Sequence, residues 1–205
     1  SYFGIETDIH KTKDGKFIII HDHNTERISL GENDINVEEN NFSSVENIVL
    51  PDIDGSKNRR DIRIPLLIDY IKICKKYCKK CVLELKNSFS EEDIRTIIEE
   101  IRSEEYLENV IFISFIWENC TAVRRLLPQN EVQWLSWEKV TDETVKSLSD
   151  NGIDLDIAYN VLTKEIIDKL HSNKIKINCW TCDNKDDAER LVQMGVDFIT
   201  TNILE

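Results

Sequence analysis

The chain has 205 residues, enough for one sizeable domain or for most of an α/β barrel, whose usual length is about 250 residues. With 40% hydrophobic and 32% charged residues, its composition is that of a folded protein and argues against extensive disorder. The 26 basic and 39 acidic residues give a net charge of −13, which argues against nucleic acid or an anionic membrane as the main partner.

We expect one domain over residues 1–205. No run of residues approaches the roughly 20 apolar residues of a membrane span, and the N-terminus lacks a signal-peptide pattern, so we expect no stable membrane insertion. Six cysteines in a chain of this length do not resemble the framework of a small secreted domain. They favour a reducing compartment such as the cytoplasm.

The first segment predicts an antiparallel β-hairpin. FGIETDI (3–9) and KFIIIHD (16–22) are separated by HKTKDG, whereas a parallel crossover needs about a dozen residues or more. A two-residue turn at Lys13 and Asp14 places Asp8 opposite Ile19 and Glu6 opposite His21. The pairing brings two carboxylates and a histidine to one end of the sheet. His10 shares their strand face nearer the turn, where we expect a solvated position.

Residues 28–63 are polar and have little periodicity, so they predict a loop-rich insertion within the domain. Long loops in compact domains are usually functional or mobile. The sequence IPLLIDYIKICKKYC then predicts a helix.

Three cysteines in and after this helix have the spacing CxxxCxxC, which radical-SAM enzymes use to hold an iron–sulfur cluster. Helical spacing predicts Cys74 and Cys78 on the apolar face of the helix, and Cys81 opens the next strand. Cluster ligands need a flexible loop that wraps around the cluster, and this junction offers none. Core packing of the thiols is therefore favoured, with an iron–sulfur site as the alternative.

From residue 81 onward, short apolar runs alternate with amphipathic stretches about every 25 residues, the rhythm of βα repetition. The predicted strands are CVLELK (81–86), VIFISF (110–115), VQWLSW (132–137), IDLDIA (153–158), IKINCW (175–180) and DFITT (197–201). The predicted helices are EEDIRTIIEEIRSEEY, ENCTAVRRLL, TDETVKSLSDN, TKEIIDKLHSN and NKDDAERLVQMG. This run favours a parallel barrel over an open sheet.

The strand LELK carries the first candidate site residue. Leu83 and Leu85 face one way while Glu84 and Lys86 face the other, near the carboxyl end where barrels place their active sites. An ion pair between Glu84 and Lys86 in a polar layer is one interpretation, and a functional site is the other. Glu6 and Asp8 share a strand face near another strand end. Three converging carboxylates repel strongly unless a divalent cation binds among them, and all-oxygen ligation favours Ca²⁺ or Mg²⁺ over zinc.

At these residues the chain resembles a known family. GIETDIHKTKDGKFIIIHDHNTERI is similar to the signature GxExDxxxTxDGxxVxxHDxxxxR of glycerophosphodiester phosphodiesterases. Further elements of the family follow in the right order: IPLLIDYI, LELK at 83–86, SF at 114–115, INCWTCDN at 177–184 and GVDFITTN. The resemblance implies a TIM (β/α)8-type barrel with a small insertion after the HD motif.

The resemblance also implies roles for individual residues. Glu6, Asp8 and Glu84 bind one divalent cation, Ca²⁺ or Mg²⁺, and His21 matches one of two catalytic histidines. Lys86 helps to hold the phosphate, and Phe115 and Trp180 form an apolar wall against the glycerol. The implied reaction is metal-dependent hydrolysis of a small-molecule glycerophosphodiester to glycerol 3-phosphate and an alcohol such as choline or ethanolamine. Attack by the neighbouring glycerol hydroxyl and direct attack by water both remain open.

One departure from the family pattern affects these expectations. The family begins with a strand ending in His-Arg, followed by a helix, and nothing in the sequence ahead of the ExD strand matches it. We therefore expect a barrel that lacks its first strand and helix, with the partner histidine and the phosphate-binding arginine missing. The alternative function is a non-catalytic barrel that binds metal and a phosphorylated ligand.

Overall fold

The computed structural model describes residues 2–204, which form one eight-stranded sheet with helices packed against it. The strands are β1 (Gly4–Lys11), β2 (Phe17–Ile19), β3 (Lys80–Leu85), β4 (Val110–Ser114), β5 (Val132–Ser136), β6 (Asp154–Ala158), β7 (Ile177–Trp180) and β8 (Phe198–Ile199). The α-helices are α1 (Leu67–Lys76), α2 (Glu91–Ser103), α3 (Trp117–Leu126), α4 (Asp142–Asn151), α5 (Lys164–Ser172) and α6 (Lys185–Met194).

The strand order is β2-β1-β3-β4-β5-β6-β7-β8, with only β2 antiparallel to its neighbour. The predicted βα repetition after residue 81 is confirmed, and most predicted ends lie within a few residues of the observed ones. Four helices begin after Ser90, Thr141, Thr163 and Asn184, whose side chains each accept a hydrogen bond from a backbone N–H of the first turn. These caps satisfy donors that the helix itself leaves unpaired.

The predicted hairpin is present, but its predicted register is wrong by one residue. The turn has three residues rather than two: Thr12 N donates to Lys16 O at 2.8 Å, and Gly15 adopts a φ of 80°. This left-handed conformation suits glycine in a three-residue turn. Ile9 therefore lies opposite Ile19, and the backbone oxygen of Asp8 accepts from Ile20 N at 3.1 Å.

The two faces of the sheet differ in polarity. Leu83 and Leu85 are buried in the large apolar core between sheet and helices, while Glu84 points to the inner face of the curved sheet. The inner face also has a small apolar cluster around Ile111, Ile113 and Leu135. Alternation along the strands thus separates the helix-side core from a more polar interior.

The two ends of the parallel sheet approach each other without pairing in the described residues. The rings of Phe3 and Phe198 lie 5.3 Å apart between centroids. Between β1 and β8 lies a cavity of about 300 Å³, lined among others by Gly4, Glu6 and Ile199. We call it the edge cavity.

Residues 28–63 pack on β2 with little regular structure. A second apolar cluster joins Ile18 and Ile20 to Val37, Val45 and Ile64. Within the segment, residues 42–44 form one turn of 3-10 helix.

The three cysteines at 74, 78 and 81 do not converge. Cys74 and Cys81 are buried, as expected, but the prediction for Cys78 is wrong, because α1 ends at Lys76 and Cys78 is exposed. Its φ of 52° belongs to a tight turn that leads directly into β3. In the part of the chain that the structure describes, the one group of three ligand-type side chains consists of carboxylates.

Among residues 2–204, no helix has the length and apolar composition needed to cross a bilayer.

Candidate active site

Three carboxylates meet on the inner face of the sheet. β1 and β3 run parallel, and Asp8 pairs with Glu84 across them while Glu6 pairs with Val82. One carboxylate oxygen from each of Glu6, Asp8 and Glu84 lies within 4.8 Å of the other two. The sheet register therefore produces the convergence that the sequence predicts.

Lys86 lies beside two of these carboxylates. Its Nζ is 3.2 Å from Asp8 Oδ1 and 3.1 Å from Glu84 Oε1. Burial lowers the pKa of Lys86, but attraction to Glu84 and Asp8 outweighs burial, and the pKa is raised. The ion pair between Glu84 and Lys86, one of the two interpretations of LELK, is thus present and includes Asp8, but one ammonium faces three carboxylates.

The excess negative charge changes the acidity of the cluster. Removal from solvent, followed by repulsion from Asp8, Glu84 and Asp156, raises the pKa of Glu6 to about 8. Burial raises the pKa of Glu84 to about 7, although Lys86 acts in the opposite direction. Three oxygen donors with uncompensated charge fit a hard divalent cation such as Ca²⁺ or Mg²⁺.

His21 lies at the rim of the same site. Its Nδ1 is 2.7 Å from Asp22 Oδ1, and Arg27 donates to the two oxygens of Asp22 at 2.6 and 3.0 Å. The bonds from Arg27 and then from His21 hold the pKa of Asp22 well below its usual range. An anionic Asp22 accepts a hydrogen bond from Nδ1–H of His21, which leaves Nε2 as the free nitrogen.

His10 is buried rather than solvated, so that expectation is wrong. Its Nδ1 is 3.1 Å from Glu38 Oε1 and its Nε2 is 3.2 Å from the backbone oxygen of His21. The insertion covers this part of the hairpin and supplies Glu38, which is why the position is not at the surface. His10 also lies outside the carboxylate cluster.

These side chains open into a cavity of about 230 Å³, which we call the site cavity. It is lined by Glu6, Asp8, His21, Glu84, Lys86, Ile113, Phe115, Leu135, Asp156, Trp180, Thr181 and Thr200. Phe115 and Trp180 meet edge to face, with ring centroids 5.7 Å apart and an interplanar angle of 84°. An aromatic wall and a charged cluster thus line one pocket, and it includes every residue predicted for the site.

Asp156 and Asp22 were not predicted as site residues. Asp156 lies on β6, is 2% exposed, and lines the site cavity. Burial raises its pKa to about 8, opposed by Asn178. The alternation of IDLDIA could have placed Asp156 on the inner face, and the HDxxxxR spacing could have linked Asp22 to Arg27.

Comparisons with known proteins agree with this geometry. Residues 2–205 match the model of the glycerophosphoryl diester phosphodiesterase family. The chain belongs to this family. A glycerophosphodiester phosphodiesterase from Caldanaerobacter subterraneus subsp. tengcongensis is 26% identical over 204 residues, which cover 97% of this chain and 82% of that protein. The expected glycerophosphodiester phosphodiesterase activity is confirmed at the level of the family.

Solved structures of the family share the fold. A glycerophosphodiester phosphodiesterase from Parabacteroides distasonis aligns with a TM-score of 0.77 at 26% identity, covering 97% of this chain and 79% of that one. An Oleispira antarctica phosphodiesterase in complex with the product sn-glycerol-3-phosphate aligns with a TM-score of 0.82 at 18% identity, covering 97% of this chain and 80% of that one. The α/β barrel type of fold is thereby confirmed.

Proposed function

We propose that this chain hydrolyses glycerophosphodiesters to glycerol 3-phosphate and an alcohol, with a divalent cation held by Glu6, Asp8 and Glu84. The observation that carries the proposal is the convergence of these three carboxylates with Lys86 in one cavity. A bound cation would neutralise charge on phosphoryl oxygens, the usual contribution of a metal at phosphorus. The assay described below, with Mg²⁺ or with Ca²⁺, determines which of the two cations supports the reaction.

The protein's own groups complete the proposed chemistry. Lys86 is held on the site side of β3 by two carboxylates, and its ammonium is placed to bind a phosphoryl oxygen. His21 lines the site cavity and Asp22 holds its Nδ1, so Nε2 is the nitrogen left to move a proton to or from an oxygen at phosphorus. Asp22 would act as a positioning residue for His21.

The aromatic wall of Phe115 and Trp180 would bind the glycerol moiety of the substrate. The rings of Phe115 and Trp180 are nearly perpendicular, so they present an apolar corner beside the charged cluster. A corner of this kind excludes water from one side of the reacting group. It packs against the carbon backbone of a small polyol, while the phosphate lies towards Lys86.

We further propose that the edge cavity is the position of one additional parallel barrel strand, so that residues 1–205 act as one barrel domain with residues 28–63 as an insertion. Support comes from the outer edge of β8 and from that of β1 at residues 4–7, neither of which has a strand partner in the described residues, and from the seven parallel strands where a TIM barrel has eight. This corresponds to the predicted barrel without its first strand and helix. A strand in that position would lie beside Glu6 and would bring further side chains to the site.

A second candidate function is a barrel that binds metal and a phosphorylated ligand without turnover. It is favoured by one observation: His21 is the one histidine among the described residues that lines the site cavity. Losing one of two proton-transfer groups costs about 10²–10⁴ in rate.

Release of glycerol 3-phosphate from glycerophosphocholine separates these functions. The chain is assayed with Mg²⁺ or Ca²⁺ and with a chelator. Metal-dependent release that falls at least 100-fold in His21→Ala supports hydrolysis. His171→Ala is the matched control, because His171 lies on α5 and contacts Asp197 instead of the site. Metal-dependent binding of glycerol 3-phosphate without any release supports the second candidate.

A further inference from the structure

Two buried polar atoms in the site cavity have no hydrogen-bond partner. Asp156 Oδ1 is an acceptor and Trp180 Nε1 is a donor, and both are shielded from solvent. More than about 90% of buried polar groups in proteins are hydrogen-bonded, so each exception calls for an explanation. Here one missing donor and one missing acceptor occur in the same pocket.

The two residues lie on neighbouring strands. In the register of β6 and β7, Asp156 pairs with Asn178 and Ala158 pairs with Trp180, so Asp156 and Trp180 are two positions apart on the same inner face. From the strand spacing and the rise per residue, their Cα atoms lie about 8 Å apart. Two hydrogen bonds through a single oxygen atom span about 5.5 Å, which fits between side chains at that separation.

The surrounding protein does not satisfy either atom. The amide of Asn178 donates to Thr200, at 3.2 Å from Nδ2 to Oγ1, and although Asn178 also lowers the pKa of Asp156, Oδ1 of Asp156 has no hydrogen-bond partner. The Trp180 ring packs edge to face against Phe115, and its Nε1 has no acceptor in this position. Gln133 Oε1 is also buried and without a partner, but it lines the edge cavity instead of the site cavity.

A hydroxyl group matches this pair of atoms. A hydroxyl donates one hydrogen bond and accepts others, so it can donate to Asp156 and accept from Trp180 Nε1–H at once. A carboxyl oxygen accepts in both protonation states of Asp156. The pair lines the same cavity as Phe115 and Lys86, and Asp156 lies on β6, three strands from β3 in the sheet, whereas Lys86 directly follows β3.

We propose that Asp156 and Trp180 hold the terminal hydroxyl of the glycerol moiety, the one remote from the phosphoester, and that Asp156 determines specificity for glycerol over diols that lack it. The inference rests on the proposed function and names a subsite of the same pocket. Asp156 lies deeper along its strand than Trp180, at the level of Leu135. A hydroxyl reaching this depth is the one farthest from the phosphate at Lys86, while the hydroxyl next to the phosphoester stays near the carboxylates.

The inference predicts discrimination between two substrates. Glycerophosphocholine is compared with the choline phosphodiester of 1,2-propanediol, which keeps the hydroxyl next to the phosphoester and lacks the terminal one. A site built around a substrate hydroxyl rejects the analogue without it, because its own buried groups stay unpaired. We expect kcat/KM to favour the glycerol compound by at least about 100-fold.

Variants test the two residues. Asp156→Leu removes the acceptor at similar volume, and Trp180→Phe removes the donor but keeps a ring. Both should reduce the preference to less than about tenfold, by lowering kcat/KM for the glycerol compound more than for the propanediol compound. Gln133→Leu is the matched control, because it replaces another buried, unpartnered acceptor and should keep the parent's preference. If Asp156→Leu does not fold, Asp156→Ala, which also removes the acceptor, takes its place.

The outcomes separate this inference from the proposed function. Equal kcat/KM of the parent for both diesters, or an equal loss on both in the variants, overturns the inference and leaves a structural water as the occupant. If the parent hydrolyses neither diester, the proposed function fails. The inference is then tested by calorimetric titration of the chain, in the presence of Mg²⁺, with sn-glycerol 3-phosphate and with 1,2-propanediol 1-phosphate. At least tenfold tighter binding of sn-glycerol 3-phosphate than of 1,2-propanediol 1-phosphate supports the subsite, while equal affinity or no binding overturns it.

Discussion

Strand β1 borders two regions that differ in how completely the strand is paired with a neighbouring strand. On one side, Gly4–Ile9 pairs residue by residue with Lys80–Leu85, and this ladder positions the carboxylates and Lys86. On the other side, β2 pairs only with Ile9–Lys11, and the first half of the strand, residues 4–7, borders the edge cavity with no strand partner in residues 2–204. The site region is therefore preorganised by regular pairing, while the edge region lacks a strand neighbour along residues 4–7.

We therefore expect cation binding and turnover to depend on different regions of the molecule. The cation-binding geometry needs only the β1–β3 register, so it should tolerate changes at the edge. Turnover involves more groups than cation binding, and a strand at the edge would lie beside Glu6, so we expect turnover to be the property that is more sensitive to the edge. We therefore expect substitutions at the edge between β1 and β8 to leave the affinity for the cation unchanged.

The largest expected effect comes from removing one carboxylate. Glu84→Gln keeps the shape but leaves two carboxylates beside Lys86, and we expect affinity for Mg²⁺ and Ca²⁺ to fall at least 100-fold in calorimetry with little change in Tm. Glu100→Gln is the matched control, because Glu100 is a half-buried glutamate on α2 whose pKa burial also raises. Parental affinity in Glu84→Gln would show that the ligands are assigned wrongly.

A smaller effect is expected from pH. Because the pKa values of Glu6 and Glu84 are raised to about 8 and about 7, both carboxyls bind protons near pH 6 that a cation must displace. We expect affinity to rise at least tenfold from pH 6 to 8.5, and proton release to fall from about two per cation to well under one. Calorimetry in buffers of different ionisation enthalpy measures both quantities, and a flat profile would contradict the account.

The same shifts predict a stability trend without metal. The folded state holds these protons above the ordinary glutamate pKa of 4.5 whereas the unfolded state releases them. The free energy of unfolding of the metal-free chain should therefore contain a component that falls as pH rises from about 5 to 8. Added Mg²⁺ should reverse this decline, as followed by Tm.

The smallest effect is expected at the edge. Phe3 and Phe198 connect β1 to β8 through ring contact at 5.3 Å. Phe3→Ala should lower the free energy of unfolding by about 1 kcal/mol, the size of an aromatic pair contribution, and leave cation affinity unchanged. Denaturant titration and calorimetry on one preparation check both statements. A joint loss of affinity would show that the edge and the site are coupled.

Much of this arrangement could be predicted from the sequence, for physical reasons. Period-2 alternation in LELK separated Leu83 from Glu84, and short apolar runs between capped helices predicted the parallel strands after residue 81. The carboxylates at 6, 8 and 84 converge because parallel strands place their carboxyl ends at one edge.

The errors also have physical causes. The hairpin register depends on whether the turn has two residues or three, and the left-handed Gly15 decided for three. Cys78 left the apolar face because α1 ended two residues earlier than helical spacing assumed. The burial of His10 depends on Glu38 in the insertion, a tertiary contact that no local pattern contains.

The most direct test of the central claim is a crystal structure of the chain with Mn²⁺ and sn-glycerol 3-phosphate. The account predicts one anomalous peak with oxygens of Glu6, Asp8 and Glu84 about 2.0–2.6 Å away, and the phosphate within reach of Lys86. It also predicts the terminal hydroxyl between Asp156 and Trp180. An anomalous peak elsewhere, or no peak at saturating Mn²⁺, would contradict the assignment of these carboxylates as the metal site.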